Sequence, residues 1–101
     1  MQRTINLTRV ARLMKDNGVR STFDGLGNGE YSLLVEDGRL IVGPARVVWD
    51  ESNRAEMFGS IPGLVYGIIG TEFQRRIPIS GNEITTAEIL IACWKGINHG
   101  N

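Results

Sequence analysis

Apolar and polar residues recur along this chain with two different periods, and the changeovers mark its elements. From about Ile5 to Asn17, Leu7, Val10, Ala11 and Met14 fall on one helical face while Arg9, Arg12, Lys15 and Asp16 fall on the other. Thr4 or Asn6 supplies an N-terminal cap, and Asn17-Gly18 a left-handed stop.

The period then drops towards two. Val19–Phe23, Tyr31–Glu36 and Arg39–Val42 read as strands. Asp24–Gly29 reads as a flexible glycine-rich turn, and Asp37-Gly38 as a type I′ hairpin turn. Gly43-Pro44 breaks the run before a fourth strand, Ala45–Trp49, and Asp50 caps a short helical turn through Glu56, closed by Gly59. Glu72–Ile79 alternates again, near a sheet edge because Pro78 lacks a ladder donor. Thr85-Thr86-Ala87-Glu88 has capping-box spacing and opens a last helix. Its apolar residues, Ile89, Leu90, Ile91, Cys93, Trp94 and Ile97, cover an arc wider than one packed face requires. That helix is therefore expected to be covered on two sides, by the first helix, the central segment or a second protomer.

The central segment, Met57 to Gly70, is uncharged and carries glycines at 59, 63 and 67. Read as a helix with Ser60 as its cap, it presents a bare groove, because residues four apart share a face. Each glycine inside a helix costs about 0.5–1 kcal/mol relative to alanine, which calls for a compensating close approach. As a helix it would reach only about 21 Å, short of a bilayer core of roughly 30 Å, so it reads as a buried segment and not as a membrane span.

The chain has 101 residues, 42% apolar and 22% charged, within the range of a single folded domain spanning 1–101. The order of elements predicts an α+β fold: an antiparallel sheet of about four or five strands with the N- and C-terminal helices packed on one face. Eleven basic residues balance eleven acidic ones, so no bulk charge draws the chain to nucleic acid or a membrane surface. A single cysteine excludes an internal disulfide, and the opening MQRTINLTRV has no apolar signal-peptide run, which together favour a cytoplasmic setting.

Chemistry is sparsely nominated. Gly25, Gly27 and Gly29 resemble a fragment of a phosphate loop, but strand-like residues follow where a helix is needed. Leu7–Phe23 fails as a helix-turn-helix, since Gly18 comes too late for the tight turn. One cysteine inside an apolar run and one histidine, His99, near the end supply neither a metal set nor a nucleophile with its base. No metal, cofactor or catalytic residue is expected, and the chain reads as a non-enzymatic domain.

Two binding readings remain. In the first, Gly59, Ile61, Gly63, Leu64, Val65, Tyr66, Gly67, Ile68 and Trp94 form an uncharged protein-binding surface. Self-association is its simplest outcome, since symmetric dimers are the commonest soluble assembly. Small neutral domains of this kind serve as inhibitors, adaptors or assembly subunits, including those of phages and mobile elements. In the second, Arg9, Arg12 and Lys15 on the first helix, or Arg75 and Arg76 on the late strand, contact nucleic-acid phosphates.

Overall fold

A computed structural model of the chain describes residues 3–49, 55–61, 64–68, 74–76 and 82–99. The elements run β1 (Arg3–Asn6), α1 (Leu7–Asp16), β2 (Ser21–Gly27), β3 (Glu30–Val35), β4 (Leu40–Trp49), β5 (Ala55–Ile61), β6 (Val65–Ile68), β7 (Gln74–Arg76) and α2 (Glu83–His99). The fold is the α+β type expected, an antiparallel sheet with a helix towards each end. Its strands pair in the order β1-β5-β4-β3-β2, with β6 beside β4 and β7 beside β6.

Asn6 caps α1 and ties its start to two other elements. Its Oδ1 accepts from the Arg9 N–H (3.1 Å), capping α1. Its Nδ2 donates to Glu56 on β5 (2.9 Å), and its backbone N–H donates to Glu83 at the start of α2 (3.3 Å). The helix is shorter than expected at its front, because Ile5 belongs to β1 and pairs with Gly59. Leu7, Val10 and Met14 are fully buried beneath α1. Gly18, at φ +79°, ends the helix as predicted, and the Val19 N–H folds back to the Met14 carbonyl (2.9 Å).

The two hairpins differ in how far the sequence anticipated them. Asp37 and Gly38 both have positive φ, and the Arg39 N–H reaches the Glu36 carbonyl (3.4 Å), so the predicted β3–β4 turn forms. The expected long turn at Asp24–Gly29 does not. There β2 continues to Gly27, a bulge lies between Gly25 and Gly27, and only Asn28-Gly29 make the turn. Both carry positive φ, the combination a two-residue hairpin demands.

Gly43-Pro44 does not break the sheet either. Strand β4 runs through it for ten residues, with a cis peptide bond between the two. Opposite β3 the register slips at this point, Tyr31 facing Ala45 and Leu33 facing Val42. The inserted residue is a bulge, and it keeps Val42 and Ala45 on the same buried face. On the other edge of β4, Leu40–Gly43 pairs with β6 and Ala45–Trp49 with β5.

The central segment is the main correction. Ala55–Ile61 and Val65–Ile68 are strands, so no helical groove forms there. Of the helical turn expected from Asp50 through Glu56 and closed by Gly59, residues 50–54 lie outside the described residues, and Ala55, Glu56 and Gly59 belong to β5. Gln74–Arg76 lies within the late strand expected over Glu72–Ile79 and pairs with β6. Helix α2 starts earlier than the capping box implied. Asn82 is its cap, accepting from the Thr85 N–H through Oδ1 (2.9 Å) and from the Thr86 N–H through its carbonyl (2.8 Å).

Rows of cross-strand neighbours build the core. Leu33, Val42 and Tyr66 form one row, Val35 and Leu40 lie in the next, and Ile5, Gly59 and Ala45 form a third. All are buried, and Leu7, Val10, Met14, Ala87 and Leu90 cover them from the helices. Each fully buried leucine contributes about 1.5–3 kcal/mol relative to exposure. Among the described residues, no helix is long and apolar enough to cross a membrane.

Candidate functional site

The uncharged surface predicted around the glycines is largely interior. Leu64 is fully buried and Tyr66 is 6% exposed. Gly59 is buried beneath Leu64: a Cβ on Gly59 would lie 2.9 Å from Leu64 Cγ and still nearer both its methyls. The close approach that glycine permits is thus made by the chain's own next segment. Gly67 is half-buried in β6, opposite Ile41. Ile61, Val65 and Ile68 hold strand positions in β5 and β6, and Gly63 lies outside the described residues. Trp94 is half-buried against the core, with the Arg39 guanidinium 6.0 Å from its ring centroid. That contact ties α2 to the β3–β4 hairpin.

The apolar surplus of α2 comes to the surface elsewhere. Helices α1 and α2 pack against one another, and a groove of about 360 Å³ opens where they diverge. Leu13 and Asn17 form its α1 wall. The α2 wall carries Ile84, Glu88, Ile91 and Lys95, which recur at the three- and four-residue spacing of one helical face. Ile84 is 56% exposed, whereas Leu90 on the opposite side of the same helix is fully buried. Ala92, also on the groove, is exposed and small enough for another backbone to come close. Sequence reasoning placed Ile91 in the wide apolar arc but did not single out Ile84, which lies beside Glu88 and Lys95 just beyond the arc's edge.

The basic residues divide into two groups. Arg9, Arg12 and Lys15 are exposed on α1 as the helical wheel predicts. Arg75 and Arg76 lie in β7, opposite Tyr66 and Val65 of β6. Arg12 and Lys15 line a second concavity, a cleft of about 380 Å³ between α1, the start of β2 and the β3–β4 turn. Arg20, directly before β2, and Ser21 at its start complete it, with Glu36 and Asp37 from the turn. Two hydrogen bonds hold these walls together: Arg20 N–H to Glu36 Oε1 (2.7 Å), and Glu36 N–H to the Arg20 carbonyl (2.9 Å). Glu36 and Asp37 both adopt positive φ, costing roughly 1 kcal/mol for a residue with a side chain. Arg20, Ser21 and Asp37 were not singled out together from the sequence, since only the fold brings them to Arg12.

The cleft also holds a hydroxyl without a mate. Ser21 Oγ is buried and has no hydrogen-bond partner, a state that typically costs about 1–3 kcal/mol. Thr8, on the cleft's α1 wall, uses its Oγ1 to accept from the Met57 N–H of β5 (2.9 Å). No group of three or more His, Cys, Asp or Glu suited to a metal occurs among the described residues. Cys93 is half-buried and packs against the core. No protein-family model, curated protein or solved structure matches the chain.

Proposed function

We propose that the protein acts by binding, without catalysis, as a self-associating domain of the inhibitor, adaptor or assembly-subunit kind. Its contact surface is the face of α2 that carries Ile84, Glu88, Ile91 and Lys95. The observation that supports this reading most is Ile84, more than half exposed in a helix that buries Ala87 and Leu90. A β-branched aliphatic side chain placed on the rim of an apolar groove favours removal from water by a partner.

The charges on that face suit a second copy of the same chain. Glu88 and Lys95 are two helical turns apart, with Ile91 and Ala92 midway between them. In an antiparallel pairing about a twofold axis near Ile91–Ala92, Glu88 of each protomer meets Lys95 of the other. A symmetric contact needs this self-complementarity, since one patch must recognise itself. One helix pair is a small interface, so the dimer should be weak and dependent on concentration.

Light scattering after size exclusion, over a range of concentrations, tests the reading. The wild-type mass should rise towards that of a dimer, and Ile84→Asp should stay monomeric with an unchanged circular-dichroism spectrum. A wild-type protein that remains monomeric at the highest concentration removes the reading.

A further inference from the structure

The cleft between α1 and β2 differs in chemistry from the helical groove and lies outside the association surface. We propose that it binds the phosphate of a nucleotide, either free or within a strand. Arg12, Lys15 and Arg20 hold the phosphate, while Asp37 meets the sugar hydroxyls.

The three cations are available. Among the described residues, none of them has a carboxylate within 4.0 Å, although Glu36 and Asp37 line the same cleft. Glu36 already receives the Arg20 N–H, and this bond with its reciprocal partner fixes where Arg20 leaves the sheet. Arg12 and Lys15 stand one turn apart on α1 and project from the opposite wall. Guanidinium and ammonium groups facing each other across a concave site are the usual means of holding a phosphate.

The carboxylate of the turn narrows the ligand further. Asp37 would repel a bare phosphate, but it accepts hydrogen bonds from hydroxyls attached to one. A phosphate borne by a sugar suits the three cations and this carboxylate together. The cleft's volume, about 380 Å³, lies at the small end of ligand sites, enough for one nucleotide unit. The last turn of α1 forms part of the wall, and the negative end of its dipole disfavours an anion. Attraction must therefore come from the three side chains, which makes binding sensitive to salt and to their removal.

Backbone amide shifts on the full chain provide the test, read during titration with inorganic phosphate, uridine 5′-monophosphate and a short oligouridylate. We expect the Arg20, Ser21 and Asp37 amides to move with the mononucleotide or the oligonucleotide, and whichever binds identifies the source of the phosphate. Arg12→Glu combined with Lys15→Glu, both at exposed positions, should weaken binding about tenfold or more at low salt. The proposal is overturned if neither nucleotide form moves these amides at millimolar concentration, or if the shifts survive in the double variant. Inorganic phosphate binding as tightly as both nucleotide forms would overturn the sugar contact assigned to Asp37.

Discussion

Helices α1 and α2 pack on one another, yet they use their sequences differently. In α1 the two faces separate: Leu7, Val10 and Met14 are wholly buried, Ala11 and Leu13 are half-buried, and Arg9, Arg12 and Lys15 are exposed. In α2, Leu90 and Ala87 are buried, but Ile84 is left on the surface and Ile91 is only half covered. The contrast shows how to read an apolar arc that is too wide. The part facing the sheet belongs to the fold, and the remainder is available to something outside it. Only the structure separates the two, because both parts look alike in the sequence.

The largest expected effect separates them by mutation. Leu90→Ala should cost about 2–5 kcal/mol, because it leaves a cavity under α2. Ile84→Ala removes a side chain that is mostly in water, so its cost to monomer stability should fall below about 0.5 kcal/mol. Urea denaturation at low protein concentration measures both. Comparable losses would mean that Ile84 belongs to the core of the monomer, and the distinction between the two faces of α2 would collapse.

A second pair of residues sharpens the contrast between inside and outside. Gly59→Ala places a Cβ against Leu64, which is itself fully buried, and should cost about 1–3 kcal/mol through overpacking. Gly96→Ala on α2 meets open space and should stabilise the helix by about 0.5–1 kcal/mol. Thermal melts of the two variants should therefore move in opposite directions. A stabilising Gly59→Ala would show that the packing of Leu64 on β5 is loose.

Much of the fold was legible where a single physical signal stood alone. The α1 stripe, its stop at Gly18 and the Asp37-Gly38 turn each rest on local chemistry that no distant contact had to complete. The β5–β6 segment was misread because a spacing of four residues is a multiple of both sheet and near-helical repeats. Within β5, Met57, Gly59 and Ile61 do alternate with Glu56, Phe58 and Ser60, but a glycine at the inward position removes the apolar mark that would show it. Ser60 could imitate a helix cap there, and Asn82 outcompeted Thr85 as the cap of α2 because it lies directly before the first helical residue. Gly43-Pro44 looked like an end because a proline lacks a ladder donor, whereas a bulge lets the strand continue.

The candidate surfaces were legible only in part. Arg9, Arg12 and Lys15 were placed correctly on the wet face of α1, but their neighbours Arg20, Ser21 and Asp37 come from later elements. The tyrosine and leucine expected outside proved to be core, since an uncharged stretch in a small domain serves the interior first.

The reciprocal pairing of Glu88 with Lys95 across α2 is the most specific claim, and a charge exchange tests it most directly. Solution mass would be measured by light scattering for the wild type, Glu88→Lys, Lys95→Glu and the double exchange, all at one concentration where the wild type associates. We expect each single reversal to give a monomer, by placing like charges opposite one another, and the double exchange to restore the dimer. Dimers that persist in both single variants, or a double exchange that stays monomeric, would contradict the antiparallel α2 contact.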